Sequence, residues 1–100
     1  MLIDHFRREV VHASKEITIL NKLGLHARPA AEFVRRANSF RSQIWLVTKH
    51  GRFSALSLID VMRANLGCGT SATLEARGTD AAEAVERLAQ VVRELPDFND

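Results

Sequence analysis

Seven consecutive residues, Gly24-Leu25-His26-Ala27-Arg28-Pro29-Ala30, bring together a nucleophilic ring, a cation and a helix-starting proline. Proline suits the first turn of a helix, where backbone N–H groups have no intrahelical partner. Those N–H groups and the positive end of the helix dipole favour an anion at the same corner. An imidazole is largely neutral near pH 7, so a ring nitrogen can accept a phosphoryl group. Arg28 can offer paired hydrogen bonds to phosphate, which a lysine cannot copy. A cation at a helix start is otherwise unfavourable by up to about 1 kcal/mol, and an arriving anion would offset that. Gly24 permits a close approach, Ala27 and Ala30 keep bulk away from the ring, and Pro29 fixes how the chain enters the helix. Most loop histidines only cap or pack; it is the neighbours of His26 that point to phosphate carriage.

The elements that must hold this corner are legible from periodicity. Residues 15–21 alternate polar and apolar side chains and predict a first strand. Ala30, Phe33, Val34 and Ala37 recur at helical spacing, predicting a helix over 27–38 with that stripe buried. Residues 43–49 and 52–55 read as two strands joined by a turn at His50-Gly51. Ser57 is the expected N-cap of a short helix reaching residue 65, with Asp60 at its third position. A fourth strand over 70–77 follows. The last helix begins at Asp80, an expected N-cap paired with Glu83, and stops at Pro96. Its expected buried stripe is Ala84, Val85, Leu88, Val91, Val92 and Leu95. The order βαββαβα predicts an α+β fold, three helices covering one face of a four-stranded, mostly antiparallel sheet. Ile44 and Leu46 then face the helices, and Trp45 and Val47 the open side.

Composition narrows the class. One hundred residues, 46% hydrophobic and 26% charged, fit one globular domain and argue against disorder. No apolar run approaches the roughly 20 residues of a membrane span, and no secretory signal is visible, so a cytoplasmic location is expected. Cys68 is alone, which excludes an internal disulfide and suits a reducing compartment. A net charge of +2 with scattered arginines argues against a nucleic-acid partner. His5 and His12 lack a surrounding Cys or carboxylate cluster, so no metal is expected. Residues 15–96 form the expected domain, flanked by a leading extension (1–14) and a short tail (97–100). In that extension Leu2, Ile3, Phe6 and Val10 could line a short helix lying over Trp45; a frayed tail or a misassigned start is the alternative.

The heptad, placed after one strand and followed by Ser57-Leu58-Ile59-Asp60-Val61-Met62, resembles the HPr family. These are the histidine-containing phosphocarriers of the bacterial phosphoenolpyruvate-dependent phosphotransferase system. The likeness runs from about residue 15 to residue 95. It implies an open-faced β-sandwich and a monomer without a cofactor, a carrier and not an independent enzyme. It also implies that His26 Nδ1 accepts phosphate from enzyme I and yields it to IIA-type components of a sugar system. Ser57 matches a regulatory phosphorylation site of some members, the target of an HPr kinase/phosphorylase. Here Leu56 precedes the serine and Asp60 follows it, and Asp60 would repel a phosphoserine, so capping is its expected main duty. Leu58, Ile59 and Met62 match a docking patch, with at least one of them expected in the core. Arg35 and Arg36 would form either a basic rim for acidic partners or an ordinary solvated face. Two alternatives remain open: a regulatory paralogue of the nitrogen-related or catabolite-control kind, and a non-phosphorylated binding module. Intact His26 and Arg28 speak against the second.

Overall fold

The computed structural model describes residues 11–97. The expected helical line through Leu2, Ile3, Phe6 and Val10 lies outside the described residues. Seven elements follow one another: β1 (Val11–Thr18), α1 (Ala27–Ala37), β2 (Gln43–Thr48), β3 (Gly51–Ser54), α2 (Leu58–Arg63), β4 (Ser71–Gly78) and α3 (Ala81–Glu94).

The strands form one sheet in the order β1-β4-β2-β3. Every pairing among the described residues is antiparallel, where mostly antiparallel was expected. The α1 crossover does leave β1 and β2 parallel, but β4 is inserted between them and runs against both. Strand β1 begins at Val11, upstream of the expected residue 15, so residues 11–14 belong to the sheet and not to a leading extension. Ala13 is small enough to sit opposite Ala76, and His12 and Ser14 continue the outward alternation.

Register places Ile17, Ala72, Leu74, Ala76, Ile44 and Leu46 on the helix side, all buried. Helix α1 covers them with Pro29, Ala30, Phe33 and Ala37. Helix α3 adds Ala81, Ala84, Val85, Leu88, Ala89 and Val92. Its stripe is rotated from the expected one: Val91 and Leu95 are half-buried, while Ala81 and Ala89 lie inside. Alanines at that contact let the helix approach the sheet closely. Phe33 and Leu88 are wholly buried, each contributing roughly 2–3 kcal/mol by area.

One local expectation fails for a physical reason. Asp80 stands before α3 but makes no side-chain cap bond. Its carboxylate instead accepts the Arg41 N–H at 2.9 Å and the Ser42 hydroxyl at 2.6 Å, tying the start of α3 to the approach to β2. Partial burial pushes the Asp80 pKa up, but these donors outweigh it and hold the group below the usual carboxylate value. On the open face, Trp45 is half-buried because the Arg52 guanidinium lies 3.7 Å above its ring. Arg52 Nε is 3.6 Å from Glu75 Oε1, so the cation is held from both sides. Among the described residues no helix is long and apolar enough to cross a membrane.

Candidate functional site

The corner containing His26 is built by two loops lying side by side. Leaving β1, the Ile19 N–H donates to Thr70 O at 2.9 Å, and the Gly69 N–H donates to Ile19 O at 2.7 Å. Further on, the Leu25 N–H donates to Leu66 O at 2.8 Å. Gly24 has φ +71°, and a Cβ there would lie 2.6 Å from Leu66 O and 2.8 Å from Gly67 Cα. Those neighbours are backbone and cannot step aside. The close approach expected of Gly24 is therefore real, but it is made to the chain itself. Leu25 is buried and anchors the loop in the core.

His26 is the N-cap of α1, with φ −77° and ψ −171°. Its carbonyl accepts the Ala30 N–H at 2.9 Å, closing the first turn. Its imidazole makes no capping hydrogen bond, so the ring is not spent on holding the helix. The ring is half-buried, and its Nε2 is enclosed without a hydrogen-bond partner among the described residues. Ala27 and Arg28 are exposed beside it. The first turn carries no acidic residue, so nothing there compensates the helix dipole. Pro29 and Ala30 face the core, so the size of Ala30 answers to packing and not to clearance around the ring.

Asn21 carries a role that sequence reasoning missed. It is 3% exposed, and its Nδ2 donates to Leu95 O at 3.2 Å and Pro96 O at 2.8 Å. Next to it the Lys22 N–H donates to Asp97 Oδ1 at 2.9 Å. The available signal was a polar residue at the inward position of an alternating run, after Ile17 and Ile19.

Helix α2 lies next to α1. Ser57 is its N-cap, its hydroxyl accepting the Asp60 N–H at 3.3 Å. Leu58 (40%), Ile59 (72%) and Met62 (40%) are all exposed, so none of them belongs to the core, contrary to expectation. A helix this short needs only one inward row, and Val61 with Ala64 fills it. Leu20 and Leu23, on the loop leading to His26, are exposed as well. Sequence reasoning passed them over, although each is an apolar residue at a position that faces water. Arg35 and Arg36 share one carboxylate: Glu32 Oε2 is 2.6 Å from Arg35 Nη2 and 2.9 Å from Arg36 Nε. The Arg35 hydrogen bond is the chief reason that Glu32 is held below the usual carboxylate range, and Glu32 in turn raises the Arg35 pKa. Of the two readings of this pair, basic rim or solvated face, the rim is thus partly neutralised. Among the described residues, no three His, Cys, Asp or Glu side chains gather where they could hold a metal ion.

Known proteins resemble this chain in sequence and in fold. The family described as the PTS HPr component phosphorylation site matches residues 13–94. The chain is 36% identical over 78 residues to phosphocarrier protein HPr of Neisseria meningitidis serogroup A, covering 78% of this chain and 88% of that one. The crystal structure of phosphocarrier protein HPr from Bacillus anthracis superposes with a TM-score of 0.77 at 36% identity, covering 81% of this chain and 96% of that one. The solution structure of Crh, the Bacillus subtilis catabolite repression HPr, superposes with a TM-score of 0.62 at 40% identity, covering 84% and 100% respectively.

Proposed function

Because the chain belongs to the PTS HPr family of phosphocarrier proteins, we propose that His26 is its phosphoryl acceptor, loaded by enzyme I and unloaded onto IIA-type components of a sugar system. The observation that carries this reading is a histidine at the N-cap of α1 whose ring makes no capping bond. The family resemblance implies Nδ1 as the accepting nitrogen, and the enclosure of Nε2 supports that choice. In loading, the Nδ1 lone pair attacks phosphorus as the bond from phosphorus to the donor breaks, and the ring keeps its proton on Nε2. Unloading reverses these steps.

Transfer of this kind asks a protein mainly for alignment and charge stabilisation. Alignment comes from the loop clasped between Gly24 and the Leu66 backbone. Charge stabilisation comes from the start of α1 and the Arg28 guanidinium, both suited to a dianionic group. The exposure of Arg28 suits a carrier, since a deep pocket would retain what must be passed on. Leu58, Ile59 and Met62, with Leu20 and Leu23 added, supply apolar area for brief docking, and Arg35 can exchange Glu32 for a partner's carboxylate. The phosphate arrives on a protein, so the chain needs no cofactor. It acts in the cytoplasm as a monomer.

The catabolite-control branch is the second reading, favoured by the likeness to Crh. There an HPr kinase/phosphorylase would act on Ser57, but the Asp60 carboxylate one turn on opposes a phosphoserine. Phosphoenolpyruvate and enzyme I should place acid-labile phosphate on the wild-type chain and none on His26→Ala. A wild-type chain that takes no label would leave the binding-module reading instead.

A further inference from the structure

We propose, on the reading that His26 carries the phosphoryl group, that Asn21 is a positioning residue for the transfer, clamping the loop before His26 onto the end of α3. Ile17 and Ile19 occupy the preceding inward positions, and a leucine at 21 would extend their packing. The chain places a buried amide there instead. Both carbonyls that receive its Nδ2 lie just past α3, where helix geometry leaves acceptors without intrahelical donors. The Asn21 Oδ1 is itself buried without a partner among the described residues. Tolerating that orphan acceptor, which costs stability, indicates that the side chain is kept for its donors.

The grip extends one residue further through the Lys22 N–H and Asp97. On the other side, the Asn21 carbonyl accepts the Gly24 N–H at 2.9 Å, closing the turn from which Leu25 and His26 emerge. The turn is therefore held from two directions, by residues 95–97 and by the backbone at 66–67. His26 stands immediately beyond it. A displacement of the ring by an ångström is enough to slow transfer severely, so the clamp sets the rate without touching phosphate.

Enzyme I-dependent phosphorylation of the wild type, Asn21→Asp and Asp97→Ala tests this, with folding checked by circular dichroism. Asn21→Asp keeps the shape and removes both donors. Its transfer rate at saturating enzyme I should fall about tenfold or more, while the enzyme I concentration giving half the maximal rate stays within about twofold. Asp97→Ala, at an exposed position, should lower the saturated rate in the same way but less. A folded Asn21→Asp with the wild-type saturated rate overturns the proposal, as does a loss found wholly in the half-saturating concentration. Should Asn21→Asp fail to fold, an unchanged rate in Asp97→Ala overturns it. No label on wild-type His26 would remove the carrier reading and the clamp together, whereas a labelled wild type with unaltered variants removes the clamp alone.

Discussion

Arg28 occupies a place where helix electrostatics disfavour a cation, and that cost is its most informative property. If the guanidinium serves the transferred phosphate, Arg28→Ala should slow loading of His26 by roughly 10- to 100-fold, the worth of one or two charge-assisted hydrogen bonds. Rates of label uptake measure this, and Arg28→Lys should recover only part of the loss because it cannot bond in parallel. The pairing of His26 with Arg28 could be proposed from the sequence because its logic is local: a ring, a cation and a proline within one turn of chain. Asn21 was not legible in the same way. Its acceptors lie 74 and 75 residues away, and no spacing rule connects them.

All seven elements were readable in the sequence, most from periodicity, β3 from its turn and α2 from its cap. Their ends were less so. Asp80 has the composition of a cap, yet the Arg41 N–H and Ser42 hydroxyl compete for the same carboxylate and win it. Ser57 has no such competitor and caps as expected. Ser57→Ala should cost about 1 kcal/mol, seen as a lowered denaturant midpoint with an unchanged slope. If Leu58, Ile59 and Met62 are held for a partner by this short helix, the same variant should also weaken enzyme I docking more than it weakens the fold.

At the scale of the molecule, the link from Asp80 to Arg41 and Ser42 joins the last helix to the second strand across 38 and 39 residues of sequence. The folded-state pKa of Asp80 lies below its ordinary value of 3.8, so the link stabilises fully above about pH 4. That contribution is lost as the pH falls through the lower, folded-state value. Acid titration of stability should therefore show a decline below pH 4 that is smaller in Asp80→Asn, with the variant less stable than the wild type at pH 7. The layer order of the fold followed from hydropathy alone, whereas the insertion of β4 between β1 and β2 is a long-range choice that alternation does not encode. The upstream reach of β1 was missed because Ala13 is too small to mark an inward position by hydropathy.

The stacking of Arg52 on Trp45 gives the chain a built-in optical gauge. The only indole in the sequence reports on the side of the sheet turned away from the helices. Its emission should stay constant while His26 is charged and discharged, and should move to the red when Arg52→Ala uncovers it. A colour change on charging would mean that the two sides of this thin sheet are mechanically connected.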